Sequence, residues 1–99
     1  MLHIVNKSPL DRNSLDTCLA TAQPGGVLLL IEDGVYAATN GNAAQAKLQQ
    51  AMGSLKVYAL RADLEARGMA DRVIEGVSLV DYGGFVDLVT EHNTCQSWL

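Results

Sequence analysis

The chain has 99 residues, of which 48% are hydrophobic and 18% charged, and its formal net charge at pH 7 is −4. This length predicts a single domain spanning residues 1–99 around one compact core. The acidic balance, without a basic stripe interleaved with aromatic residues, argues against direct nucleic-acid binding.

Short apolar runs alternate with helical stretches, a pattern typical of βαβ units and a mainly parallel sheet. Residues 2–6 are predicted to form the first strand. Ser8-Pro9 suits an N-cap and first helical position, and Asp11 would favour the helix dipole there. The helix that follows has one apolar face, formed by Leu15, Cys18, Leu19 and Ala22. Pro24-Gly25-Gly26 is expected to end it.

The rest of the chain continues this alternation. Residues 27–31 are apolar throughout, as in a strand covered on both faces. A helical turn over 35–39 and a helix over 43–52 are predicted next. The later elements are a strand, a helix, a strand, a helix and an edge strand, over residues 55–60, 62–67, 77–80, 82–91 and 94–99. The sequence therefore predicts a doubly wound α/β sheet of four or five strands, with helices on both faces.

Polar residues cluster where the strands end, which is where open parallel sheets bind ligands. They are Asn6, Lys7, Ser8, Glu32, Asp33, Arg61, Asp63 and Asp81. Asp33 and Asp81 are candidates for a catalytic or metal-binding pair. We favour a turn at Asp33-Gly34 and a helix cap at Asp81, because these residue types commonly serve there. No glycine pattern of a phosphate-binding loop is present, so no cofactor is predicted.

The cysteines and histidines give no metal-ligand spacing, so no metal site is predicted. We expect Cys18 and Cys95 to be free thiols in a reducing compartment. Cys18 is the candidate catalytic residue, but its apolar helix face and neighbouring acidic residue would raise the thiol pKa. A buried or interface packing residue is the alternative that we favour. His3 is expected to be a packing or interface histidine, and Trp98-Leu99 to dock on the body or a neighbour.

The protein is expected to stay in the cytoplasm, away from membranes. Its N-terminus lacks the basic segment and the long apolar segment of a secretion signal. The longest apolar run, residues 27–31, is too short to cross a bilayer.

Read in order, segments along nearly the whole chain resemble the TusB/DsrH family of sulfur-relay subunits. In the first half they are Leu2-His3, Asn6-Lys7-Ser8-Pro9 and Glu32-Asp33-Gly34-Val35-Tyr36-Ala37-Ala38. In the second half they are Val57-Tyr58-Ala59-Leu60, Asp63-Leu64, Ala66-Arg67-Gly68, Val80-Asp81-Tyr82, Phe85-Val86, Gln96 and Trp98-Leu99. Their order and spacing make the resemblance specific.

The resemblance implies a flavodoxin-like or DsrE-like domain in a cytoplasmic heterohexamer of three homologous subunits, each present twice. The partners would be TusC/DsrF-like and TusD/DsrE-like sister subunits and a small TusE/DsrC-like acceptor protein. Such an assembly relays persulfide sulfur, either for 2-thiolation of the tRNA wobble uridine or for dissimilatory sulfur oxidation. The main persulfide cysteine belongs to the TusD/DsrE-like sister, so this chain is expected to be mainly an assembly subunit.

Cys18 stands where DsrH-like members carry a cysteine, so the resemblance also implies a secondary sulfur-handling thiol. Two other functions stay open: a sulfurtransferase acting through Cys18 alone, and a free-standing α/β ligand-binding or regulatory module using the strand-end residues. The high hydrophobic content favours a subunit, because so small a domain has too much surface to hide its apolar residues alone.

Overall fold

The computed structural model describes residues 1–10, 13–92 and 94–98. Its strands are β1 Leu2–Val5, β2 Val27–Leu30, β3 Lys56–Leu60, β4 Ser78–Val80 and β5 Cys95–Trp98. They form one sheet in the order β4-β3-β2-β1-β5, and every neighbouring pair is parallel. The predicted parallel α/β fold is confirmed, and so is the edge position of the fifth strand.

Helices connect the strands. The α-helices are α1 Ser14–Thr21, α2 Gln45–Ala51, α3 Arg61–Ala66 and α4 Tyr82–Glu91. A 3-10 helix, η1, spans Glu32–Ala38 between β2 and α2. Most predicted boundaries lie within two or three residues of those in the structure. Gly68 follows α3 with φ +67, the left-handed conformation expected after a helix end.

Helix α1 begins five residues later than predicted, at Ser14 instead of Pro9. The Ser8 hydroxyl accepts a hydrogen bond from the Leu10 N–H at 3.2 Å, which closes a local turn instead of opening a helix. The first helical hydrogen bond runs from the Thr17 N–H to the Asn13 carbonyl. The predicted start at Ser8-Pro9 is therefore wrong. Asp11, which was expected in the first turn, lies outside the described residues.

The main core lies on the sheet face that packs against α1, η1, α2 and α3. Successive strand residues point to opposite faces, so every second strand residue enters this core. Its fully buried strand residues include Val5, Leu28, Leu30, Val57 and Ala59. The connecting helices add Leu15, Cys18, Val35, Leu48 and Leu64.

The opposite face of the sheet is covered by α4 alone among the elements that the structure describes. Leu2, Leu29 and Leu88 form its buried centre. Five strands spaced about 4.8 Å apart span about 19 Å, whereas one helix with its side chains is about 10 Å wide. The apolar residues around that centre are therefore only partly buried: Ile4, Val27, Ile31, Tyr58, Val80, Phe85 and Val89. We call this surface the α4 face.

Gly34 lets η1 pack directly on the end of β1. A Cβ at this position would collide with the Val5 carbonyl oxygen and lie 2.9 Å from the Val5 carbonyl carbon. Just before it, Glu32 adopts a φ of +50, which is uncommon for a residue with a side chain. The close approach holds η1 over the carboxyl ends of β1 and β2, where the strand-end polar residues lie.

Candidate functional site

Four of the eight strand-end polar residues come together at the carboxyl edge of the sheet, joined by Arg67. We call Asn6, Glu32, Asp33, Asp63 and Arg67 the carboxyl-edge cluster. The Glu32 N–H donates to Asp63 Oδ2 at 2.7 Å, which links η1 to α3. Asn6 Nδ2 donates a long hydrogen bond of 3.5 Å to Glu32 Oε2, which links β1 to η1.

Arg67 binds both aspartates of this cluster. Its Nε and Nη2 donate to Asp33 Oδ1 at 3.0 and 2.8 Å, and its Nη1 donates to the Asp63 carbonyl at 3.0 Å. Nη1 also lies 3.8 Å from Asp63 Oδ1, and the guanidinium lies 6.0 Å from the ring centre of Tyr36. The hydrogen bonds that Arg67 donates to Asp33 raise the pKa of Arg67, burial partly opposes this rise, and the nearby charges add to it. Arg67 therefore ties η1 to α3.

The strand-end interpretation of the sequence missed the part played by Arg67. This residue follows α3 rather than a strand, so a search for polar residues at strand ends does not include it. The available signal was its spacing from Asp63, because residues four apart on a helix face each other.

The carboxylates of the cluster serve internal contacts. Asp33 pairs with Arg67, and Asp63 accepts from the Glu32 backbone. Asp81 lies outside the cluster and caps α4, since its Oδ1 accepts from the Gly84 N–H at 2.8 Å. The predicted helix cap is confirmed, and Asp33 and Asp81 do not act as a pair. Across residues 1–10, 13–92 and 94–98, no group of three His, Cys, Asp or Glu residues is placed to hold a metal ion.

Lys7, Ser8 and Arg61 complete the strand-end set. Ser8 is buried in the turn that precedes α1. Lys7 and Arg61 are exposed. One atom of the cluster, Asn6 Oδ1, is buried without a hydrogen-bond partner among the described residues. The arrangement is a structural network rather than an open binding pocket.

Cys18 lies on the core side of α1, with none of its surface exposed. Desolvation by burial raises the pKa of its thiol to about 11. At pH 7, only about one such thiol in 10⁴ is a thiolate, the form that attacks sulfur and metals. The predicted burial is confirmed. In this conformation Cys18 packs the core and is closed to a sulfur donor.

Cys95 is exposed at the start of β5, and both cysteines are free thiols. Its register partner on β1 is Leu2, which belongs to the α4 face. Cys18 belongs to the core on the other side of the sheet. The sheet therefore separates the two sulfur atoms.

These features define a class: a small α/β domain with one all-parallel sheet, a buried thiol on its first helix and an ion-paired carboxyl edge. No helix in the described parts of the chain is long and apolar enough to cross a membrane. The fold is similar to that of the ychN protein from E. coli, with a TM-score of 0.78, 16% identity and 97% of each chain covered. It is also similar to protein MTH1491 from Methanobacterium thermoautotrophicum, with a TM-score of 0.70, 20% identity and 97% and 95% of the two chains covered.

Sequence comparison gives the family. Residues 7–95 match the family model described as DsrH like protein. Protein TusB from Pectobacterium parmentieri is 39% identical over 98 residues, which cover 99% of this chain and 100% of the relative. Protein TusB from Escherichia coli (strain K12 / DH10B) is 38% identical over 98 residues, with the same coverage of both chains. The chain belongs to the DsrH/TusB family, and the resemblance predicted from its sequence is confirmed.

Proposed function

We propose that this chain is a subunit of a cytoplasmic heterohexameric sulfurtransferase that relays persulfide sulfur to a small acceptor protein. Membership of the DsrH/TusB family supports the proposal. The partners are TusC/DsrF-like and TusD/DsrE-like sister subunits, with the main sulfur-carrying cysteine on the second of these. The acceptor is a TusE/DsrC-like protein. This chain acts mainly in assembly.

The exposed apolar residues of the α4 face are the observation that supports an assembly role. Tyr82 and Val86, one helical turn apart on α4, extend this face, and they are 63% and 57% exposed. Beside them, Phe85 and Val89 are only partly buried. Burying a side chain of this size stabilises an interface by about 1 kcal/mol or more. A contiguous apolar surface on a domain this small is typical of a subunit interface.

A sulfur-handling role for Cys18 is the second candidate, and it rests on the cysteine's position on the first helix. The thiol is fully buried, and burial raises its pKa to about 11. Sulfur transfer through Cys18 therefore requires a partner to move α1 away from the sheet. We propose that Cys18 packs the core of the assembled subunit and that transfer proceeds without it.

The test is persulfide transfer by the complex purified from its own cells. Labelled sulfur is loaded onto the sister subunit, and its arrival on the acceptor protein is followed. We expect the complex with Cys18→Ala to transfer sulfur within about twofold of the wild-type rate, as should the matched control Cys95→Ser. Loss of transfer in an intact Cys18→Ala complex would instead make Cys18 a sulfur carrier. Sister subunits that transfer at the full rate without this chain would overturn the subunit proposal.

The end use of the sulfur is tested separately, by the 2-thiouridine content of tRNA in cells that lack this chain. Loss of the modified wobble uridine assigns the complex to tRNA thiolation. Normal 2-thiouridine together with impaired sulfur oxidation assigns it to dissimilatory sulfur metabolism.

A further inference from the structure

Strand β5 is held on the sheet from one side only. It pairs with β1 alone, and the Leu2 N–H donates to the Thr94 carbonyl at 3.1 Å just before it. Three of its four residues, Cys95, Gln96 and Ser97, are exposed. Trp98 is its one partly buried side chain, and it packs against the main core. Leu99, the other half of the predicted docking pair, lies outside the described residues.

A hydrogen bond joins Trp98 on β5 to His3 on β1. The indole Nε1–H donates to His3 Nδ1 at 3.1 Å, with the ring centres 6.1 Å apart. His3 is 3% exposed. Because an indole nitrogen only donates, this bond requires a neutral His3 with its proton on Nε2. Protonation of His3 would add an N–H at Nδ1, and this N–H would face the N–H of the indole.

We propose that His3 and Trp98 form a proton-sensitive clasp, in which neutral His3 holds β5 on the sheet and protonated His3 releases it. The release is local, because β5 is four residues long, mostly exposed and bonded along one edge only. Edge segments with few buried contacts open at a lower free energy than the core of a domain. Strands β1 to β4 keep their mutual pairing when β5 leaves.

No described residue around His3 supplies a negative charge that would stabilise the protonated imidazole ring. Strand β2 and the loop over residues 22–26 carry no titratable group. Strand β5 carries only Cys95, on the opposite face of the sheet. Helix α1 carries the buried Cys18 and also Asp16, whose carboxylate is paired with Lys47 at 2.8 Å. The N-terminal ammonium acts on His3 with the same sign of charge as an imidazolium.

These conditions set the direction of the pH response. Burial, and then the N-terminal ammonium, lower the pKa of His3 from its ordinary value of 6.5. The state with β5 released therefore binds a proton more readily than the closed state. By linkage, the clasp is fully effective above pH 6.5 and weakens as the pH falls from there through the lowered pKa.

Trp98 is the chain's one tryptophan, so its fluorescence reports directly on the clasp. We expect an acid titration of the full chain to show one transition with a midpoint below pH 6.5, in which the emission of Trp98 shifts to the red. His3→Gln should remove the transition, because the amide oxygen accepts the indole bond without titrating. His92→Gln is the matched control, since His92 is the only other histidine, and it should keep the transition.

Hydrogen exchange of the wild-type chain, alone or in its assembly, gives a second test that needs no variant. Below the transition, the amides of residues 95–98 should exchange at least about tenfold faster, while those of β2 keep their protection. Absence of the fluorescence transition, its persistence in folded His3→Gln, or simultaneous loss of protection in β2 would each overturn the proposal.

Discussion

The two cysteines differ in exposure and therefore in reactivity. Cys18 has no exposed surface and burial raises its thiol pKa to about 11, whereas Cys95 is exposed on β5. We expect an aromatic disulfide reagent to modify Cys95 of the folded chain at least about 100-fold faster than Cys18. In denaturant the two thiols should react at similar rates.

Cys95→Ser provides the control for this measurement, because it should remove the fast reaction and leave one protected thiol. Two fast-reacting thiols in the native wild-type chain would show that α1 opens readily. The sulfur-carrier role of Cys18 would then become the stronger hypothesis.

Sequence reasoning at the residue scale succeeded where local chemistry decides the outcome. Asp81 caps α4 as predicted, because an acidic residue before a helix finds free backbone N–H groups within its own turn. It failed for Arg67, whose contact with Asp33 joins residues 34 positions apart. Such a pairing depends on how α3 and η1 meet, which no local pattern contains.

The placement of η1 against β1 depends on the missing side chain of Gly34. We expect Gly34→Ala to lower the free energy of unfolding by about 3 kcal/mol, because the added methyl meets backbone atoms that cannot rotate away. Gly53→Ala is the matched control, since the nearest atom to its new Cβ is 3.4 Å away. Its stability should stay within about 0.5 kcal/mol of wild type. Urea unfolding of the three proteins measures both changes, and equal midpoints would contradict the close packing of η1 on β1.

Element boundaries show why parts of the fold follow from the sequence. The apolar run after Gly25-Gly26 forms a strand covered on both faces, since Leu28 and Leu30 are buried in the main core and Leu29 is buried on the opposite face. The start of α1 was misplaced because Ser8-Pro9 suits either a helix cap or a turn. The Leu10 N–H bonds to the Ser8 hydroxyl, and the chain turns before α1 begins at Ser14.

At the scale of the whole molecule, the two faces of the sheet are unequally covered. Periodicity predicted helices on both faces. In the part of the chain that the structure describes, α4 alone covers one of them, which follows from the strand order. The chain steps from β1 to β4 in one direction, and α4 alone returns it across the sheet to β5. The composition predicted more apolar residues than so small a domain can bury by itself. These residues lie on the α4 face.

The α4 face should be needed for assembly and not for folding. We expect Val86→Asp to weaken association with the sister subunits by at least about tenfold, because it places a charge in an apolar interface. Leu10→Asp is the matched control, since Leu10 is 70% exposed but lies in the turn before α1. Copurification with the sister subunits measures both, and circular dichroism checks that each variant is folded. Equal recovery of both variants would show that the interface with the sister subunits lies elsewhere on the chain.

The most direct test of the subunit proposal is native mass spectrometry of the untagged protein purified from its own cells. We expect a heteromeric particle that contains this chain and two similar-sized α/β chains, each present twice. A monomer or a particle made of this chain alone would contradict the proposal. The carboxyl-edge cluster would then become the place to search for a ligand.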